Sequence, residues 1–230
     1  MEIKYRDILK IIGIITMIID HIGYYLLPDN LWLRVIGRVA MPIFGILFME
    51  GLERNKQENK GYIHRQKQLI IATITYIIIG LLAGFNSYYL LFSNIIITFI
   101  LMGWLYLNAE RWSVVVFAIV IQLLQFKLDS SLYFASIIFY YQYPPKERYL
   151  FIYSLCFAIS YYLFPSLSYP QLILLILLYY LSIKLWDYRD ISDKIKVSGW
   201  AYTLIRYPSK YSLEVYYLHI LALLGLQQLL

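Results

Sequence analysis

Hydrophobic runs bounded by charges, prolines or glycines recur along the chain at 8–27, 31–52, 68–85, 88–108, 112–128, 130–143, 149–164, 170–186 and 211–230. A helix needs roughly 20 apolar residues to cross a bilayer, and most of these runs approach that length. The pattern predicts an all-α polytopic integral membrane protein of about nine spans. The sixth run is short enough for a half-helix, and 194–207 reads as an interfacial helix with Trp200, Tyr202 and Tyr207 at headgroup level, so eight or ten spans are the neighbouring counts. The first run carries Asp and His and has no small-x-small cleavage site before Pro28, which predicts a retained transmembrane helix rather than a leader.

Composition agrees with the pattern. Hydrophobic residues make up 61% of the 230 and charged residues only 15%, where a soluble domain has about 25% charged. No Gly/Ser/Pro-rich linker divides the chain, so residues 1–230 read as a single domain. The net charge of +6 does not point to nucleic acid, because the basic residues sit in short clusters between apolar runs. With the N-terminus inside, all but Arg34, Arg38 and Lys127 of the 20 Lys and Arg fall on inner segments. That bias predicts a cytoplasmic N-terminus, an outer C-terminus and an odd number of spans in the cell membrane. Cys156 is the sole cysteine, so no intramolecular disulfide forms.

Against this background the informative residues are the polar ones inside the runs. Met17 to Gly23 puts Asp20 and His21 deep in the first span. Ionisable groups at that depth are costly and usually face a protein interior or a wet cavity. Counting ~1.5 Å per residue from the span ends brings Asp20, His21, Arg38, Asn94, Gln122 and His219 to one layer roughly 10 Å below the outer surface. Asp20 and His21 are sequence neighbours, hence about 100° apart on a helix, and each needs a partner from another helix. Arg38 is the natural counter-ion of Asp20, and His219 is the second imidazole of the layer. In the last span Ser212, Tyr216 and His219 share one face.

These are the parts of an acyl-transfer site: an imidazole to take a proton from an amine or hydroxyl, and a cation or amide donor to hold the developing oxyanion. The plain alternative is a buried Asp20–Arg38 pair that fixes the first hairpin, with His21 bonded to a backbone carbonyl. Pro42 cannot give an N–H to the carbonyl of Arg38 and predicts a kink in the second span, while Gly37 and Gly45 permit close helix approach. The inner stretch from Glu53 to Lys67 carries Arg54, Lys56, Lys60, His64 and Arg65. It serves first as an inside-positive signal, and would also suit an anionic nucleotide headgroup such as that of coenzyme A, with Arg65 and Tyr62 at helical spacing. A different reading of the same layer is a proton-coupled small-solute transporter, which predicts internal repeats; none is evident. A non-catalytic membrane scaffold is a third reading, and in it the polar residues would be replaceable by apolar ones of the same size.

The quoted residues resemble the TraX family, membrane proteins linked to N-terminal acetylation of F-type pilin. The resemblance rests on Leu9-Lys10 with Met17 to Gly23, on Gly37 to Gly51, on Tyr62 with Arg65, on Asn94 to Thr98, and on Tyr216 with His219. It covers about the first 100 residues and the last 20; 110–205 offers no match, and Tyr217 stands where the family pattern has proline. The scheme is similar to that of other transmembrane acyltransferases, including heparan-α-glucosaminide N-acetyltransferase and bacterial surface-polysaccharide O-acetyltransferases. It implies an enzyme using cytosolic acetyl-CoA and no metal, with Asp20, His21, Arg38, Asn94 and His219 as the site. Arg54, Lys56, Lys60, Tyr62 and Arg65 would hold the donor, and the acceptor would be a protein N-terminus or a glycan beyond the membrane. His21 or His219 would be the general base, with Asp20 setting histidine orientation or pKa through a neighbouring helix and Arg38 or Asn94 polarising the thioester.

Overall fold

The computed structural model describes residues 2–57, 62–85, 95–108 and 195–229, with isolated positions between 173 and 181. The described residues are mostly helical. The spans expected from 112 to 164 lie outside them, and that at 170–186 is described only at those isolated positions. By its internal contacts the chain divides into two compact units, residues 1–44 with 160–230, and residues 45–159.

In the first unit, α1 runs Tyr5–Tyr25 and is, among the described residues, the one helix long and apolar enough to cross a membrane. Its start is fixed by Asp7, whose carboxylate accepts the Lys4 backbone N–H at 3.3 Å, half of a capping box and an acid placed favourably in the first turn. Thr16, midway along, returns its hydroxyl to the Ile12 carbonyl at 2.8 Å, which satisfies it inside an apolar helix. Leu9, Gly13, Met17 and Asp20 fall on one buried stripe, so the carboxylate lies on the packed face and not on the outer one.

The expected second span, 31–52, is broken. α2 covers Leu31–Gly37 and α3 covers Ala40–Gln57, with the break at Arg38 and Val39. The expected kink at Pro42 is therefore corrected to a break one turn upstream. Pro42 has no N–H for the Arg38 carbonyl, so the ladder cannot close across that turn. The chain restarts with Pro42 in the first turn of α3, where an N–H has no intrahelical acceptor.

α1 and α2 form a tight antiparallel hairpin set by two glycines. A Cβ at Gly23 would lie 2.8 Å from the Cβ of Leu33, and a Cβ at Gly37 would fall on the backbone of Asp20 itself. Only glycine lets α2 come this close to α1, so Gly37 determines how near the arginines of α2 are to Asp20. Gly37→Ala should destabilise the protein by at least the about 1–3 kcal/mol typical of overpacking, because backbone cannot swing aside as a side chain does. A melt of the detergent-solubilised variant checks this, and an unchanged midpoint would mean the two helices are not in such close contact.

At the other end of α1, two segments distant in sequence are brought in. β1 (Glu2–Ile3) pairs antiparallel with β2 (Ile195–Lys196), a ribbon too short to show in the sequence pattern and the one departure from an all-helical reading among the described residues. α6, Gly199–Lys210, is held by a buried Asp7. Ser209 donates its hydroxyl to Asp7 Oδ1 at 2.6 Å, Arg206 lies 3.1 Å from the same carboxylate, and Lys10 reaches the Ser209 carbonyl at 3.2 Å. Trp200, Leu204, Tyr207 and Tyr211 form an exposed ridge on and just past α6. A helix stands where the sequence predicts one, shifted a few residues C-terminal, with Tyr202 off the exposed ridge. α7, Ser212–Leu229, follows at once and buries Tyr216, Tyr217, Ile220, Leu223 and Leu224.

In the second unit, α4 spans Tyr62–Leu82 and packs against α5, Ile95–Asn108. Both α3 and α4 extend into the stretch expected as a loop, since a helix can outlast its apolar segment when its polar end is solvated. Glu50 and Arg54, one turn apart at 3.1 Å, support that extension. α4 ends in a Schellman motif: Gly84 has φ +80°, Phe85 N–H reaches the Gly80 carbonyl and Gly84 N–H the Leu81 carbonyl. Its burial is inverted relative to a soluble helix. Thr73 and Tyr76 are buried, while Ile70, Ile71, Ile74, Ile78, Leu81 and Leu82 are exposed. Between Ile70 and Leu82 most of the large apolar side chains are thus turned outward.

Candidate functional site

The site lies in the first unit and is built by α1, α2 and α7. Consecutive residues of α1 serve two different neighbours, as their angular separation requires. Asp20 turns to α2, where Arg34 Nη1 stands 2.9 Å from Oδ2 and also donates to the Asp20 backbone carbonyl at 3.1 Å. Arg38 Nε lies 3.7 Å from Oδ1. Arg34 and Arg38 are one helical turn apart, so α2 presents two guanidiniums to one buried carboxylate. The Arg34 guanidinium also sits 4.9 Å from the centre of the Tyr24 ring, a cation–π contact that holds it in place.

His21 turns to α7. Its Nδ1 is 2.6 Å from Nε2 of His219, and the two rings are within 14° of coplanar. Nδ1 of His219 is 2.9 Å from the carbonyl of Val215, one turn earlier on α7. Tyr25 and Tyr216 each meet the His21 ring edge-on at 6.1 Å, and Tyr216 also meets His219 at 5.8 Å. The imidazole pair is thus walled by aromatic rings, one turn above on α1 and one turn below His219 on α7.

Asp7 and Lys10 meet Ser209, just before α7 begins, and His21 meets His219 within it. α1 and α7 therefore run in the same direction, with the basic N-terminal arm and α6 at their shared starting end.

Of the residues the sequence singles out, the structure brings Asp20, His21, Arg38 and His219 together, with Tyr216 beside them. Arg34 is the addition, and it is the closer of the two counter-ions. Matching depth from the hairpin turn selects Arg38; the spacing Arg34-x-x-x-Arg38 was the available signal, because a side chain as long as arginine's can span one turn. The carboxylate of Asp20 is engaged with the arginines, and His219 is oriented instead by the hydrogen bond its Nδ1 donates to the Val215 carbonyl. Asn94, Gln122 and Lys60 lie outside the described residues, as do the side chains of Lys56, Tyr62 and Arg65 on their helices. Arg54 is described and pairs with Glu50.

A cationic pair fixed by a carboxylate next to a hydrogen-bonded imidazole pair offers a base and fixed positive charge in one low-dielectric place. A family model described as "TraX protein" matches residues 5–227, nearly the whole chain. An uncharacterized protein of Rickettsia prowazekii (strain Madrid E) is 54% identical over 41 residues, which is 18% of this chain and 16% of that protein's length. No solved structure matches.

Proposed function

The chain belongs to the TraX protein family, and on that premise we propose that it is a membrane-embedded acyltransferase. It moves an acetyl group from cytosolic acetyl-CoA to an amine or hydroxyl beyond the membrane, on a pilin-like N-terminus or a surface glycan. The observation that carries this reading is the hydrogen-bonded His21–His219 pair beside Asp20, Arg34 and Arg38, on a helix able to cross a bilayer.

In the proposed reaction the acceptor nitrogen or oxygen attacks the thioester carbonyl carbon while the imidazole pair takes its proton. Negative charge grows on the carbonyl oxygen, where a fixed guanidinium lowers its energy without reorganising. The carbon–sulfur bond then breaks, leaving the acylated acceptor and a thiolate that regains the proton. Arg34 and Arg38 can supply the fixed charge because Asp20 and, for Arg34, the Tyr24 ring hold them in position.

The proposed topology is multi-pass with the N-terminus in the cytoplasm. Two observations support it. Helices that share a direction and both cross must be joined by an odd number of further crossings, which makes the total odd, and α1 and α7 share a direction. Lys4, Arg6, Lys10, Arg206 and Lys210 all gather at their starting end, as an inner end requires. The aromatic ridge of α6 at that end suits the headgroup boundary.

The test is transfer by the purified protein in lipid nanodiscs, supplied with labelled acetyl-CoA and a panel of peptide N-termini and glycans, with release of the CoA thiol as the readout. Transfer to at least one acceptor class above the rate without protein is expected. Neither thiol release nor CoA binding with any of them would reject the enzyme reading.

A further inference from the structure

The hydrogen bonds of the imidazole pair have a direction. A backbone carbonyl only accepts, so at Nδ1 of His219 the ring must donate to Val215 O. A neutral imidazole carries one N–H, so Nε2 of His219 is an acceptor, and at 2.6 Å from it Nδ1 of His21 must be the donor. That leaves Nε2 of His21 with its lone pair, and it takes no hydrogen bond among the described residues. We infer that His21 is the base of this site, through Nε2, and that His219 is a positioning residue that holds His21 in this tautomer.

The chain of bonds stops at Val215 O. An amide carbonyl is too weak a base to carry a proton onward, so nothing taken up at His21 Nε2 leaves through His219. As a proton wire the pair is closed at this end, which argues against the transport reading of the layer. For acyl transfer, and resting on that reading, the proton taken from the nucleophile has one route out, back off Nε2. It goes to the thiolate released when the carbon–sulfur bond breaks, so His21 serves first as base and then as acid, and donor and acceptor must meet the same edge of its ring.

Nitrogen-15 spectra of histidine-labelled protein in bilayers test the assignment without any reaction. The chain has three histidines, and His64→Gln leaves the two of interest. Both should appear protonated at Nδ1 and bare at Nε2, with a coupling from His21 Nδ1–H to His219 Nε2. In His219→Leu the His21 signal should shift toward the Nε2-protonated form that free imidazole side chains prefer, and in His219→Gln, whose amide oxygen can accept the same bond, it should stay. A His21 protonated at Nε2 in the unsubstituted protein overturns the inference.

The transfer assay gives the second arm. His219→Leu should lower kcat roughly tenfold to a hundredfold with KM nearly unchanged, and His219→Gln should recover most of it, a loss on the scale of a misplaced general base. If His219→Gln is as inactive as His21→Ala, His219 is itself a reacting group and the role given to it here is wrong. If the unsubstituted protein transfers nothing, the acyltransferase reading falls while the spectra still decide the tautomer.

Discussion

His21→Ala should reduce acetyl transfer by about 10²- to 10⁴-fold, the range that a positioned general base contributes, and should leave donor binding nearly intact. The loss belongs in kcat, because the ring acts on the nucleophile's proton and not on the donor's distant groups. His21 does not hold the hairpin together; that depends on Gly23, Gly37 and the Asp20 ion pairs. Removing the ring leaves Nε2 of His219 without its donor, at a cost of about 1–3 kcal/mol if the nitrogen stays dry. A melting curve must therefore accompany the kinetics. His21→Gln separates the effects, since its amide keeps a donor for His219 and offers no basic nitrogen. The expected order is an inactive His21→Gln with a nearly native melt. Retained transfer in His21→Gln would remove His21 from the chemistry whatever the alanine variant does.

The parts of this site that are legible in the sequence are those where a polar residue conflicts with its surroundings. Asp20, His21, Arg38 and His219 stand out because each interrupts an apolar run, and helix geometry alone separates Asp20 from His21. Their assembly follows because charges at one depth have only each other for partners. Arg34 is not legible by that argument, since counting residues fixes where a Cα lies and not how far a guanidinium reaches. The break at Arg38 and Val39 is half legible. Pro42 announces a missing hydrogen bond, but where the helix yields depends on tertiary contact, here the close seat of Gly37 on α1. The Asp7–Ser209–Arg206 junction carries no periodic signal at all, joining residues about 200 apart in sequence. Direction along the imidazole pair is the least legible feature, because it turns on the Val215 carbonyl, which every residue type supplies equally.

Asp20→Ala should cost more stability than any other single change in the first unit, about 3–5 kcal/mol, the range for removing one member of a buried ion pair. The carboxylate is buried, and both guanidiniums it faces are nearly so, with side-chain exposures of 13% and 12%. Without it two like charges one turn apart lose the anion between them. The backbone carbonyl of Asp20 keeps its bond from Arg34, which offsets only part of the loss. Asp20→Asn should be milder, because the amide oxygen still accepts while the second oxygen position becomes a donor facing Arg38. Apolar replacement of the whole cluster gives the decisive contrast. Asp20→Leu combined with Arg34→Met and Arg38→Met should recover most of the stability, since desolvating the ions is itself costly, yet should remain as inactive as His21→Ala. A triple variant that is stable and active would mean the fixed charges do nothing for the reaction; an Asp20→Ala protein that melts with the unsubstituted one would mean the carboxylate is not their shared partner. Between those outcomes lies the division the geometry implies. Asp20 works through α2 to hold cations where the carbonyl oxygen becomes negative, and its neighbour His21 works through α7 to move the proton.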